Sequence, residues 1–495
     1  MDPCDLPALT ARRLIGAKKL SPLELLESCL ARIRAVNPAI NAMVALDEAG
    51  ARAAAAAAER RVMRGEPLRL LEGLPLGVKD LEETAGLRTT FGSLLFADHV
   101  PAEDEANVAR LRAAGAIVLG KTNTPEFGAG ANTWNAVYGA TGNPFDPEKS
   151  AAGSSGGSAA ALATGMVPLA TGSDLGGSLR NPAAFCGVVG FRPSPGLVPA
   201  PRRPLGWSGL AVLGPMARTV GDLALLLAAQ AADDPRDPLA AWVPGRTLRH
   251  GGEFHPLAPR DLSALRVAMS EDFGIAPVEA HIRRVFRRRM ERLAPLFAAC
   301  TPAHPDCSGA DEAFAVLRAV SFLAAHEEKL AAPHRLGPNV RANLEEGLGY
   351  TARDAARAGR LQTELYRRFQ TFFGQYDLLL TPAITVSPRP WRELYPREID
   401  GVPTRTYYHW LALAYPASLA GHPALVLPLG RDEAGMPFGL QIIGPRGGDA
   451  LVLGAGLALE AIAAADPELA RPEPDLVRLM SAPPIAAAPG FKSPG

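Results

Sequence analysis

The chain has 495 residues, 47% apolar and 21% charged, the composition of a folded globular protein rather than a disordered one. Its 51 Lys+Arg and 51 Asp+Glu residues cancel, so no global field draws in nucleic acid or an anionic membrane, and neither is expected as a partner. Five scattered cysteines (Cys4, Cys29, Cys186, Cys300, Cys307) without C-x-x-C spacing fit a reducing cytoplasm. The N-terminus shows no signal-peptide pattern, and no run of about 20 apolar residues predicts a membrane span. The nine histidines form no H-x-x-H or H-E-x-x-H pair, so no metal is expected.

In chain order, residues 21–62 predict two helices, the first announced by Ser21-Pro22 and the second carrying an alanine run. Short β-type runs follow at 74–80, 116–123, 166–174 and 187–194, with AAALATG predicted as a helix between the second and the third. After a Pro/Gly-rich connection at 232–261 comes a strand in 265–274, then a largely helical stretch over 277–375. Within it, RRVFRRRMERL (283–293) spaces its apolar residues helically, leaving the arginines as a wet face. Buried-strand runs at 376–386, 423–430 and 438–445 precede a closing helix from about 448, and a Pro/Ala-rich tail from 471 reads as an irregular strap or disordered. Strands alternating with helices predict an α/β/α sandwich around a mixed sheet. Length alone fits about three domains, but no composition break marks a boundary. One domain over 1–470 is expected, with N-terminal helices at 1–65 and a core at 66–230.

Two Ser/Gly clusters carry the chemistry. AAGSSGGSAA (151–160) contains a G-x-S-x-G match at Gly153, Ser155 and Gly157. Such an elbow needs a strand running into the serine, and the approach NPFDPEKSAA holds two prolines and no β-run. A Walker loop is excluded because no Gly-Lys-Ser/Thr follows. In TGSDLGGSLRNP (171–182), Leu175, Gly176, Gly177 and Ser178 follow a β-run, where consecutive N–H groups can form an oxyanion nest beside a Ser178 nucleophile. Alone, the same residues fit a tight structural turn. No histidine lies near either cluster to act as base. Lys79, ending the apolar run LPLGVK, is the other option; keeping it neutral at pH 7 means lowering its pKa by about 3.4 units, roughly 4.6 kcal/mol. Alone, it also fits an ordinary strand-end lysine paired with Asp80.

Together these pieces resemble the amidase signature family of Ser-cisSer-Lys hydrolases. Lys79, GSSGGS and DLGGS match its three segments, with separations of 75 and 24 residues. KTNTPEF (121–127), FCGVVGFRPSPG (185–196), GPMARTVGDLALL (214–226), YDLLLTP (376–382) and PFGLQIIGP (437–445) look like further landmarks, so the resemblance covers about residues 5 to 465. It implies Ser178 as acyl-enzyme nucleophile, Ser154 after a cis peptide bond as relay, and Lys79 as base. The oxyanion would rest on the N–H groups of Leu175, Gly176, Gly177 and Ser178. Ser155, Asp174 and Arg180 are implied as supporting residues, and no cofactor is implied. Ala151-Ala152 stands where the family often has Pro-Gly.

By matching positions, Gly128, Ala129 and Ala131 should line the acyl side, with the Gly128 carbonyl orienting substrate. Trp134, Tyr407, Tyr408, Trp410 and Tyr415 are candidates for an apolar entrance. The implied substrate is an apolar or aryl amide, with esters and carbamates as further acyl donors and water as co-substrate. One family branch is the glutamine-hydrolysing A subunit of a tRNA amidotransferase. Leu411, where an acidic grip on glutamine is expected, and Gly347-Leu348-Gly349, in place of Gly-Thr-Tyr/Phe, weigh against it. A non-catalytic binding subunit is the remaining alternative. A cytoplasmic monomer or homodimer is expected.

Overall fold

The computed structural model describes residues 2–241 and 251–493; part of the 232–261 connection therefore lies outside the described residues. Eleven strands build one mixed sheet: β1 (Met43–Leu46), β2 (Pro75–Lys79), β3 (Ile117–Thr122), β4 (Leu169–Asp174), β5 (Val189–Arg192), β6 (Val212–Ala217), β7 (Arg266–Met269), β8 (Ala299–Pro302), β9 (Leu378–Pro382), β10 (Ala424–Arg431) and β11 (Pro437–Ile443). Their spatial order is β1-β3-β2-β4-β6-β5-β10-β11-β9-β7-β8. The β3-β2-β4 and β9-β7-β8 neighbours run parallel and the remaining pairs antiparallel. Every residue of β2, β3, β9 and β11 is buried, which explains why these strands read as continuous apolar runs: helices cover both faces of the sheet.

Eight of the strands fall in segments expected from the sequence. The other three lacked a signal for physical reasons. β1 is four residues between two strong helices, Pro22–Ile40 and Glu48–Met63. β6 carries Pro215 at its centre, a residue that removes a ladder donor and argues against a central strand. β8 is the mostly exposed edge strand and needs no apolar run.

The helix at Ala280–Leu293 buries Ile282, Val285, Phe286, Met290 and Leu293 as its spacing predicts. Its arginines are not all wet, however. Arg289 is buried, donating to the carbonyls of Leu429 (3.2 Å) and Arg431 (3.1 Å). The tail also departs from expectation, forming a helix at Leu476–Ser481 and then packing on the body. Ile485 joins Ala140 and Trp391 in a small core, and the Phe491 carbonyl accepts from Trp134 Nε1 at 3.1 Å and Ala140 N at 3.2 Å. Apolar anchors spaced along this Pro/Ala-rich strap, with a 3-10 turn at Ile485–Ala487, hold it to the body.

The helix Gly156–Ala163 brings the first Ser/Gly cluster onto the sheet. It is made only of Gly, Ser, Ala and Leu because its first turn touches backbone. A methyl group at Gly157 would sit 2.2 Å from the Asn123 nitrogen, closer than any carbon is accommodated. Gly157→Ala should therefore destabilise the fold by about 1–3 kcal/mol, read as a lower urea midpoint. At Gly359, in the helix Ala352–Phe373, an added methyl group would meet nothing within 4 Å, and φ is ordinary. Gly359→Ala should shift the midpoint the other way, by up to about 1 kcal/mol.

Candidate active site

Lys79 ends β2, the strand that runs between β3 and β4. Its backbone N–H donates to Thr171 Oγ1 on β4 at 3.0 Å, which fixes where its side chain leaves the sheet. That side chain is fully buried, and its amine meets three hydroxyls: Ser154 Oγ at 2.7 Å, Ser155 Oγ at 2.9 Å and Ser173 Oγ at 3.0 Å. Burial pushes the amine down to about 7, against the opposing pull of Glu82 and Asp174. Asp80 is not its partner. As the next residue along the chain it turns away, accepting from the Thr90 hydroxyl at 2.6 Å and the Thr90 N–H at 3.1 Å.

Sequence reasoning alone misses Ser173. The available signal was alternation: Thr171 and Ser173 lie two apart on β4, so both face the same side of the sheet. One hydroxyl holds the Lys79 backbone and the other its amine.

Ser154 follows a cis peptide bond from Gly153. The approach is made by Ala152, whose φ of +56° lies in the left-handed region that glycine enters more easily. Its N–H donates to Ser150 Oγ at 3.0 Å, and its carbonyl accepts from the Thr133 N–H at 3.0 Å and Thr133 Oγ1 at 2.8 Å. Those three bonds fix the turn that the Ala-for-Gly departure makes less favourable.

The second cluster is organised by Asp174. Its fully buried carboxylate accepts from Arg180 Nε (3.0 Å) and Nη2 (2.9 Å), Arg192 Nη1 (3.2 Å) and the N–H groups of Gly177 (2.9 Å) and Leu179 (3.1 Å). Burial alone would raise its pKa, but the two guanidinium groups and these bonds hold it well below the usual carboxylate range. The remaining Arg180 donors go to the Ala414 carbonyl, Gln441 Oε1 and Ser418 Oγ, tying the loop to the opposite part of the sheet. This corrects one expectation: the Gly177 N–H is taken by Asp174. Gly177, at φ +115°, turns the chain instead. The N–H groups of Leu175, Gly176 and Ser178 have no acceptor among the described residues. The half-buried Ser178 hydroxyl likewise has no partner there, while its carbonyl accepts from the Ser155 N–H at 3.2 Å.

A cavity of about 220 Å³ opens over these groups, bounded by Ser154, Ser173, Asp174, Leu175, Gly176 and Ser178. Leu81, Phe127, Phe314, Phe322 and Leu411 make most of the opposite wall apolar, and Arg318 interrupts it. Gly128 and Ala129 line it as expected, and so do Tyr407 and Tyr408. Four expected residues do not. Ala131 is packed in the core, and Trp134 borders a neighbouring cavity. Trp410 turns its Nε1 to the Tyr407 carbonyl at 2.9 Å, and Tyr415 stacks on Phe314 with ring centres 4.5 Å apart. The Gly128 carbonyl accepts from the Gly130 N–H at 3.1 Å.

Residues 24–453 match the family model described as Amidase. The chain is 35% identical over 452 residues to an acylamidase of Rhodococcus erythropolis, covering 90% of this chain and 93% of that protein. It is 37% identical over 470 residues to the glutamyl-tRNA(Gln) amidotransferase A subunit of Thermus thermophilus, covering 91% and 95%. Its fold superposes with a TM-score of 0.85 on the crystal structure of a bacterial aryl acylamidase of the amidase signature family, at 27% identity over 98% of this chain and 99% of the other. With the sheet, the Lys79–Ser154 contact and the Asp174-bound loop all present, the chain belongs to the amidase signature family, enzymes that hydrolyse amide C–N bonds.

Proposed function

We propose that this enzyme hydrolyses uncharged apolar or aryl amides through an acyl-enzyme on Ser178, with esters and carbamates as further substrates. The observation that carries the reading is the Lys79 amine, fully buried and 2.7 Å from Ser154 Oγ, on a cavity that Ser178 also lines. An ammonium can only donate, but a neutral amine has a lone pair. Near neutral pH the Lys79–Ser154 bond then reverses, and the Ser154 O–H donates to nitrogen. Ser154 passes its proton to the Lys79 amine and takes the Ser178 proton as Ser178 Oγ attacks the carbonyl carbon. The developing oxyanion is met by the free N–H groups of Leu175, Gly176 and Ser178. Ser154 then gives its proton to the leaving nitrogen and is reprotonated by Lys79, and water repeats the cycle on the ester so formed. Ser155 and Ser173 position the lysine, and the Asp174–Arg180 pair fixes the nucleophile loop.

The substrate class follows from the wall. Leu81, Phe127, Phe314, Phe322 and Leu411 give a ring or alkyl group apolar contact. Glutamine hydrolysis is the competing reading, supported by the identity to amidotransferase A subunits. It places a substrate ammonium against this wall, where Leu411 offers no counter-charge. Turnover of glutamine matching that of acetanilide-type amides would reverse the assignment.

Two outcomes follow for the machinery. Ser178→Ala should lower kcat by about 10⁴-fold or more while its melting temperature stays close to wild type. A fluorophosphonate should label the wild type at Ser178 by peptide mass mapping; labelling elsewhere, or none on folded protein, contradicts the nucleophile assignment. For pH, protonated Lys79 cannot accept a proton, so kcat/KM should fall as pH drops through about 7 and level off above it. That acidic limb should vanish from the residual activity of Lys79→Ala.

A further inference from the structure

Tyr407 stands out on the cavity wall because its oxygen is crowded and its proton is not used. Its Oη accepts from Arg318 Nη1 at 2.8 Å and from Asn343 Nδ2. The orientation of Asn343 is set independently: the same Nδ2 donates to the Asn339 carbonyl at 2.7 Å, a group that only an N–H can face. Two donors fill the lone-pair side of a phenol oxygen. The Tyr407 O–H itself has no acceptor among the described residues, and Tyr407 lines the cavity shared by Ser154 and Ser178.

The charges behind it balance. Arg318, 3% exposed, gives Nη2 to Glu346 Oε2 at 2.6 Å and lies 3.9 Å above the Tyr408 ring. Glu346 Oε1 accepts from the Tyr408 hydroxyl at 2.8 Å and the Tyr350 hydroxyl at 3.0 Å. A carboxylate brought here meets one buried cation and the half-buried anion paired with it, and loses its water for little net attraction. A neutral acceptor meets a single O–H, made a better donor by the two groups bonded to its oxygen.

We propose that Tyr407 is a specificity-determining donor that binds a neutral hydrogen-bond acceptor, a second carbonyl or ether-type oxygen, placed on the substrate away from the scissile bond. Arg318 and Asn343 are its positioning residues. The inference deepens the amide-hydrolase reading and rests on it for the identity of the cavity, but its test is read without turnover.

Binding is measured by calorimetry to Ser178→Ala protein, using matched anilides with 4-acetyl or 4-isopropyl groups and the corresponding 4-substituted benzamides. In at least one series the acetyl compound should bind about tenfold more tightly than the isopropyl compound, and more tightly than the 4-carboxylate. In Ser178→Ala/Tyr407→Phe that preference should fall to within about twofold. Equal binding of acetyl and isopropyl compounds in both series, tighter binding of the carboxylate, or a preference that survives the loss of the hydroxyl overturns the proposal. The comparison on Ser178→Ala alone decides it should the double variant not fold. Wild-type protein that binds these amides with the stated preference but cleaves none of them counts against the hydrolase reading, not against this one.

Discussion

A primary amine held out of water among three hydroxyls is the constraint around which this molecule is arranged. An isolated buried ammonium is strongly unfavourable, and the simplest relief is to give up the proton. Everything that keeps solvent from Lys79 therefore also favours its neutral form. The fully buried strand β2, the Gly/Ala helix pressed against the sheet and the cis-linked Ser154 all close that compartment. Among the described residues no carboxylate bonds the Lys79 amine; the hydroxyls around it accept or donate with little preference for charge, which leaves the amine free to do both.

The loop that carries Ser178 is built in the opposite way, with charge paired rather than removed. Asp174 and two arginines form a buried cluster that holds the loop from Asp174 to Leu179. Burial pushes Arg192 down to about 10, still far above the working range, so its guanidinium stays charged at neutral pH. One consequence is selection among backbone donors: the cluster uses the Gly177 N–H and leaves those of Leu175, Gly176 and Ser178 without an acceptor among the described residues. A rigid loop with unpaired N–H groups is what preorganised stabilisation of an oxyanion requires.

Much of this was legible in the sequence, because the residues concerned are chemically unusual for their place. A lysine ending an apolar strand and two Ser/Gly clusters stand out against ordinary core. The apolar runs of β2, β3, β9 and β11 were legible for the same reason: strands buried on both faces have little freedom of composition. The misses are just as physical. Ser173 looks like any small residue near a strand end until β2 and β4 are known to be neighbours. Which glycine turns and which one donates depends on where Asp174 points, and that depends on Arg180 and Arg192. Trp410 and Tyr415 are aromatic residues near the site in sequence, yet each packs away from the cavity. Tyr407, one position from Tyr408, becomes polar in effect only because helices from residues 310–349 bring Arg318 and Asn343 to its oxygen.

On the proposed mechanism, the protonation state of one amine decides whether the chemistry can run. The chain has only seven lysines, so selective labelling of the lysine side chains allows each to be titrated by NMR, with Lys79 assigned by its loss in Lys79→Arg. The Lys79 signal should titrate with a midpoint near 7. A midpoint near the ordinary lysine value of about 10.4 would leave the amine charged at neutral pH and contradict its role as base.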